Sequence, residues 1–331
     1  ACWPNLIIHS GLVLSDALFV LIFTGLLWCA GRTLQRPAMV KVAAAGGLLG
    51  LAIVTRPVAQ FLPIPIFFAV VAIALYHRWS ALRAAAAGTL FLLATLIAPL
   101  PVLIHNHIKF DALTLSNQGG THLLFWVVPA VKQAEDGTPK QETRLRLQQR
   151  KAEIRALAEE GPSAQAYSRE NRLMTALALS ELAASSPAAI AAAWAKGMAL
   201  NLATPAVLID QRVRTFARQS FYDLDAKNFY EKVIRYLQGN GPVYTTVFAL
   251  GTLGSIATSL LALYGLMRLW RLSRWATLFA VLAILYFLLV NGPVASPKYR
   301  LPLEPILVVL TALGAGGIWR WLIARYRHDT C

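Results

Sequence analysis

Charged residues are scarce in this chain. They make up 14% of its 331 residues, whereas a soluble domain has roughly a quarter. Hydrophobic residues make up 57%, and the mean hydropathy is +0.54. Several runs approach the roughly 20 apolar residues that are needed to cross a bilayer. This composition excludes an ordinary soluble domain and predicts an all-α, polytopic membrane protein.

Cysteine is also rare, and the common motifs of soluble enzymes are missing. Cys2, Cys29 and Cys331 are far apart, so the sequence predicts neither a disulfide framework nor a metal site. No HExxH, Walker loop or Gly-x-Ser-x-Gly occurs. The net charge of +15 lies in short loops and one central segment, without zinc-finger spacing or an RNP-like motif. We therefore expect no nucleic-acid partner.

Seven hydrophobic runs are predicted to span the membrane, and the loops between them differ in charge. The runs are 11–30, 38–55, 58–76, 84–104, 243–267, 275–291 and 301–319. Eleven cations follow alternate runs: Arg32, Arg36, Lys41, Arg78, Arg83, Arg268, Arg271, Arg274, Arg320, Arg325 and Arg327. The short loops on the other face contain only Arg56, Lys298 and Arg300. The positive-inside rule therefore places the first group in the cytoplasm, and the start of the chain outside.

The same pattern divides the chain into three parts. Residues 1–105 contain four spans, and residues 243–331 contain three spans and a basic cytoplasmic tail. Residues 106–242 hold 17 of the Lys and Arg residues and 13 of the 16 acids, which predicts a helical segment on the outer side. Ser186 and Pro187 are typical of a helix start. Lys196, at the centre of the apolar helix that follows, favours a position in or near the interface over a span.

Only three acids lie outside the central segment, and two of them indicate a site. Asp16 and Glu304 stand near the starts of predicted spans, where ionisable groups are costly and mark candidate sites. The predicted topology brings both to the outer ends of helices, together with Arg56, His105, Lys298 and Arg300. Cations at the lipid–water boundary suit a phosphate-bearing lipid. A nearby carboxylate suits a general base that deprotonates an acceptor hydroxyl.

Structural roles for the same residues stay open at the sequence level. Lys and Arg beside a membrane helix often extend to headgroups without binding a substrate. Glu304 follows Arg300 by four residues, a spacing that allows an ion pair on one helix face. Asp16 could cap its own helix.

Four segments, in this order and spacing, resemble one family of membrane enzymes. They read "WPNLIIHSGLVLSDALFVLIF", "GGLLGLAIVTRPVAQFLP", "PLPVLIHNHIKFDALTLSNQGG" and "SPKYRLPLEPILVVLTALGAGG". Together they are similar to the GT-C glycosyltransferases, in the bacterial branch related to protein mannosyltransferases and lipid A aminoarabinose transferases. The resemblance implies an inverting enzyme of the bacterial inner membrane. Its donor would be a polyprenyl-phosphate sugar, and its acceptor a glycan, a lipid or a protein on the periplasmic side.

The resemblance also implies roles for individual residues. Asp16 matches the second acid of the family's site, and Lys298 and Arg300 match basic positions close to the lipid phosphate. Asn117, in "SNQGG", would lie near the donor; Arg56, Glu304 and His105 complete the expected donor-binding set. The family's first helix and the external loop with its principal acid have no counterpart here, which predicts an N-terminally truncated enzyme. No cofactor is implied, although some relatives use a divalent metal.

Two other functions use comparable sequences. A polysaccharide ligase or polymerase of the O-antigen type also acts on polyprenyl-linked sugars, but it typically has more spans and a histidine-bearing external loop. A lipid-linked sugar flippase or transporter would place charges or broken helices at the bilayer midplane. Here the acids lie at one face, and Pro63 and Pro65 are the only notable interruption of a span.

Overall fold

The computed structural model describes residues 3–10, 15–159, 163–216, 224, 226 and 228–329, and in these ranges all regular structure is helical. The helices are α1 (Pro4–Ser10), α2 (Ser15–Gln35), α3 (Met39–Thr55), α4 (Pro63–Tyr76), α5 (Ala81–Leu96), α6 (Pro99–Phe110), α7 (Gly119–His122), α8 (Val128–Glu135), α9 (Lys140–Glu159), α10 (Ser163–Ala183), α11 (Pro187–Ala203), α12 (Gln211–Arg214), α13 (Phe229–Gln238), α14 (Pro242–Leu272), α15 (Arg274–Asn291), α16 (Pro297–Arg300) and α17 (Glu304–Asp329). Short 3₁₀ turns occupy Pro57–Ala59, Ala206–Ile209 and Leu301–Leu303, and a π turn occupies Leu123–Val127.

Four helical segments are long and apolar enough to cross a membrane. They are Ser15–Gln35, Pro242–Leu272, Arg274–Asn291 and Pro297–Tyr326. Two bent pairs raise the number to six: α5 with α6, which meet at 55°, and α10 with α11, which meet at 111°. Helices satisfy all backbone hydrogen bonds within the segment, as a lipid environment requires. The chain is therefore an all-α, polytopic membrane protein, as its composition predicts.

Prolines shorten one of the seven predicted spans and bend another. The run 58–76 becomes a 3₁₀ turn followed by α4, which begins at Pro63 because proline fits the first helical turn but not the interior. α4 is about 21 Å long and α3 about 26 Å, both less than a hydrocarbon core of roughly 30 Å. Pro99 likewise separates α6 from α5 inside the run 84–104.

Contacts between helices test the relative directions of the spans. Asp16 at the start of α2 meets Arg56 after α3, so these helices are antiparallel. The His77 Nε2 donates to the Leu34 carbonyl at 2.9 Å, and the Tyr76 and Trp275 rings are 5.6 Å apart. The basic loops that follow α2, α4 and α14 therefore lie at one end of the bundle. We call this the basic end.

Glycines allow two pairs of span helices to pack closely. A Cβ on Gly46 would lie 2.5 Å from the Phe91 carbonyl oxygen, where α3 meets α5. Where α14 meets α17, a Cβ on Gly265 would lie 1.8 Å from the Leu310 carbonyl oxygen. At the same crossing, a Cβ on Gly314 would lie 2.1 Å from the Leu261 carbonyl oxygen. Small residues at helix crossings are typical of membrane proteins. The two halves of the chain meet through Phe19 and Phe23 of α2, which pack edge-on against Phe287 of α15.

The central segment contacts the span helices through α11. The Ser186 hydroxyl caps this helix by accepting from the Ala189 N–H at 3.2 Å, as the sequence predicts. A Cβ on Gly197 would lie 2.4 Å from the Gly292 carbonyl oxygen, so the backbone after α15 passes directly over α11. The other side of the segment is formed by α9 and α10, which pack on Leu124 and Val128.

Candidate functional site

Asp16 and Arg56 form an ion pair at the end of the bundle opposite the basic end. Pro57 disfavours helical backbone at Arg56, so α3 ends there with Arg56 extended. The Arg56 Nη1 donates to the Asp16 Oδ1, and the guanidinium lies over the Phe19 ring at 5.9 Å. Asp16 stands in the first turn of α2, where the helix dipole favours a negative charge. The carboxylate is buried, and the arginine is partly exposed.

The connection between α15 and α17, residues 292–303, lies beside this pair and is held at both sides. Asn201 of α11 is fully buried, its Nδ2 donates to the Val294 carbonyl at 3.0 Å, and its Oδ1 accepts from the Ser296 N–H at 2.9 Å. The Asn291 Nδ2 donates to the Tyr299 carbonyl at 3.2 Å. These bonds satisfy backbone groups that would otherwise be costly to bury. They also determine where residues 297–300 stand.

Arg300 and Glu304 lie inside the protein, each only 1% exposed. The Arg300 Nε is 2.9 Å from the Glu304 Oε1. The guanidinium also donates to the Leu202 carbonyl and, at 3.3 Å, to the Thr258 hydroxyl. The other oxygen of Glu304 accepts from the Trp3 indole N–H. This network joins α11, α14 and α17, because one side chain reaches groups on all three helices.

The burial of Arg300 favours one of the structural roles that the sequence left open. The predicted phosphate contact requires a guanidinium at the water boundary. The structure instead directs that guanidinium to Glu304 and to two neighbouring helices. Glu304 forms the predicted i,i+4 pair. A buried ion pair of this kind organises its surroundings, and the loss of one member leaves an uncompensated charge.

Lys298 and Tyr299 belong to the same turn and directly precede Arg300. Lys298 is half-buried, and its ammonium takes part in no ion pair within the described ranges. Tyr299 lies close enough to Arg56 to interact with its charge. The Tyr299 ring also meets His122 edge-on, with centroids 6.4 Å apart. Burial lowers the pKa of His122, so this imidazole is neutral near pH 7.

The remaining predicted site residues lie outside this group of contacts. His105 is exposed on α6, and its ring contacts that of Phe110 at 6.2 Å. Asn117 connects the loop after α6 to α10: its Oδ1 accepts from the Thr114 hydroxyl at 3.2 Å, and its Nδ2 donates to the Ser168 hydroxyl at 3.1 Å. The roles of His105 and Asn117 in donor binding stay predictions, while the contacts of Asn117 hold the loop after α6 against α10.

Sequence reasoning missed two residues that the structure brings to the site, His122 and Tyr299. Tyr299 lies in the "KYR" motif, in which the sequence-based prediction named only the two cations as site residues. His122 follows "GG" closely, and a histidine after two glycines at a predicted outer helix end was a usable signal. Their proximity depends on the packing of α7 against α10 and on the path of residues 292–300.

A divalent metal does not fit the side chains of this site. Such an ion needs several oxygen, nitrogen or sulfur ligands at one place. In the described part of the chain, no group of three or more His, Cys, Asp or Glu side chains could hold a metal. Asp16, the carboxylate of the group, already accepts from Arg56. We therefore derive no step that uses a metal.

Comparison with known proteins found no matching protein-family model, no similar curated protein and no similar solved structure. The resemblance to GT-C glycosyltransferases thus rests on the quoted motifs. The chemistry of the side chains at this end of the bundle is therefore the basis for a function.

Proposed function

We propose that the chain is a membrane glycosyltransferase that moves a sugar from a polyprenyl-phosphate carrier to an acceptor glycan, lipid or protein. One observation supports this most directly. Arg56 and the turn that carries Lys298 come from opposite halves of the chain and meet at the end of the bundle opposite its basic end, where the charge of Arg56 acts on Tyr299, the residue after Lys298. Asp16 accompanies them. Cations at the end of a membrane bundle are suited to a phosphate that is attached to a lipid.

The two cations have different roles in this proposal. Arg56 is oriented by Asp16, which leaves its other guanidinium N–H groups for a phosphate oxygen. Lys298 has no ion-pair partner among the described residues, so its ammonium is available to a ligand. When the acceptor oxygen attacks the anomeric carbon from the opposite side, the bond from that carbon to the phosphate breaks. Lys298 and Arg56 then stabilise the charge of the departing lipid phosphate.

Arg300 and Glu304 support this arrangement without contacting the substrate. Their buried network connects α17 to α11 and α14 directly behind Lys298 and Tyr299. Second-layer contacts of this kind hold binding groups within the narrow geometry that catalysis needs. The proposal therefore assigns the phosphate to Lys298 and Arg56, and it assigns the placement of Lys298 to Arg300.

The charge distribution supports a location. The basic end would face the cytoplasm of a bacterial inner membrane, and the site would face the periplasm. Polyprenyl-linked donors presented at the outer face would then reach Lys298 from the lipid.

The proposal is tested with the purified chain in phospholipid nanodiscs. Polyprenyl phosphate binding is measured first, and then the release of polyprenyl phosphate from a panel of polyprenyl-phosphate sugars with a membrane extract as acceptor. Lys298→Ala should weaken binding and lower turnover about 10- to 100-fold, because a hydrogen bond to a charged group contributes about 1.5–3 kcal/mol. Lys109→Ala is the matched control, since Lys109 is an exposed lysine of α6 whose side chain has Phe110 as its one recorded partner within the described ranges. Equal behaviour of the two variants would refute the phosphate site.

A further inference from the structure

His122 is held at a defined place by Gly120, two residues before it. A Cβ on Gly120 would lie 2.4 Å from the Asn171 carbonyl oxygen, so α7 packs directly on α10. The Gly120 N–H also donates to the Asn171 Oδ1 at 2.8 Å. Immediately after His122 the helix opens into the π turn Leu123–Val127. Such turns often occur at functional sites. The backbone on both sides of His122 is thus fixed by specific contacts.

The imidazole lies beside the proposed phosphate site. Its ring meets that of Tyr299 at 87° and 6.4 Å, and Tyr299 follows Lys298 directly in the chain. The charge of Arg56 also acts on Tyr299. His122 therefore contacts the ring on which the charge of Arg56 acts, and this ring belongs to the residue after Lys298.

The ring nitrogens of His122 are free to accept a proton. In the described ranges neither nitrogen makes a hydrogen bond. The charged groups of the neighbouring α10 are engaged elsewhere: Arg169 donates to the Ala158 carbonyl, Arg172 to the Asp111 carbonyl, Glu170 pairs with Lys151 at 3.6 Å, and Glu181 pairs with Arg146 at 3.2 Å. On the side of Tyr299, the nearby charge is that of Arg56, which is paired with Asp16. Burial lowers the pKa of His122, which keeps the imidazole unprotonated.

Asp16 is poorly suited to the same task. It is buried, and the Arg56 guanidinium donates to it. Its Oδ1 already accepts from the Arg56 Nη1, so this oxygen is not open to an acceptor hydroxyl. A neutral imidazole has a pKa closer to the operating pH, as efficient general-base catalysis requires.

We infer that His122 accepts the proton of the acceptor hydroxyl in the proposed transfer, so this inference rests on the proposed function. The hydroxyl proton moves to a ring nitrogen of His122. The oxygen forms a bond to the anomeric carbon of the sugar, and the carbon–oxygen bond to the lipid phosphate breaks with its electron pair on the phosphate. The resulting imidazolium returns its proton to water. No oxidant, reductant or metal enters the balance.

The test compares the pH profile of turnover in wild type, His122→Gln and His107→Gln. For the wild type we expect turnover to fall on acidification, as one group with a pKa below the usual 6.5 of histidine becomes protonated. His122→Gln should lower turnover about 10²- to 10⁴-fold and remove that acid limb. His107→Gln is the matched control, because His107 is an exposed histidine on α6, and it should leave rate and profile unchanged.

A second measurement needs neither turnover nor a variant. In protein labelled at histidine nitrogens, the pKa of His122 is followed by nuclear magnetic resonance with and without polyprenyl phosphate. A phosphate held by Lys298 and Arg56 should raise that pKa, because a nearby negative charge favours the imidazolium. An unchanged pKa with polyprenyl phosphate bound would overturn the assignment, as would an intact acid limb in His122→Gln. The absence of turnover with every donor in the wild type would instead overturn the proposed function, and the inference with it.

Discussion

Substitution of Glu304 by glutamine should destabilise the fold, because it removes one charge from a buried pair. Both members are 1% exposed, so Arg300 would keep a charge that water cannot reach. Breaking such a pair typically costs about 3–5 kcal/mol. We expect the lower end, about 3 kcal/mol. The glutamine oxygen can still accept from the Trp3 indole, and Arg300 keeps its hydrogen bonds to Leu202 and Thr258.

The measurement is the free energy of unfolding in mixed detergent micelles, followed by circular dichroism. Glu153→Gln is the control, because Glu153 forms an exposed i,i+3 pair with Arg150 at 3.2 Å. Exposed pairs contribute about 0–1 kcal/mol, so this variant should remain close to wild type. Arg300→Met and the double variant complete a cycle. In the double variant the free energy of unfolding should fall by about 2 kcal/mol less than the sum of the decreases in the two single variants, since no charge is left unpaired.

One result would refute this account of the pair. If Glu304→Gln unfolds with the same free energy as Glu153→Gln but loses polyprenyl phosphate binding, the carboxylate acts on the ligand rather than on the fold. Lys298 would then not be the principal contact, and the sequence-based expectation that Glu304 binds the donor would be supported.

Three further predictions concern packing, the turn that holds Lys298, and pH. Gly314→Ala should lower the free energy of unfolding by several kcal/mol or separate α17 from α14, because the added Cβ would overlap the Leu261 carbonyl. The control is Gly316→Ala, which has open space around the added Cβ. In the same unfolding assay it should be neutral or stabilising by up to about 1 kcal/mol. Asn201→Leu should lower the free energy of unfolding by about 2–4 kcal/mol and weaken polyprenyl phosphate binding, since it leaves two backbone groups of residues 294–296 unsatisfied. A variant as stable as the wild type would contradict this prediction. Because burial lowers the pKa of His122 in the folded state, the unfolded state binds a proton at this residue first on acidification. The free energy of unfolding should therefore fall as the pH drops below about 6.5. His122→Gln should show a smaller decrease in this free energy between pH 8 and 5.

Much of the architecture follows from local sequence. Long apolar runs must satisfy their backbone hydrogen bonds internally, so the predicted spans are helices or parts of helices. The Ser186–Pro187 start of α11 was also predictable, because a cap needs only neighbouring residues. Prolines were visible, yet their effect on length was underestimated: Pro63 begins α4 and leaves a helix of 14 residues where a full span was expected.

The site divides in the same way. The sequence by itself determined that Asp16, Arg56, Lys298, Arg300 and Glu304 are the charges to explain, because few charges occur near apolar runs and each is costly there. Only the tertiary structure decided which of them face inward. Arg300 is buried because the Leu202 carbonyl, 98 residues earlier, and the Thr258 hydroxyl converge on it from two other helices. His122 lies beside Tyr299 because α7 packs on α10. These contacts between residues far apart in sequence depend on long-range packing, which hydrophobic periodicity and local spacing do not predict.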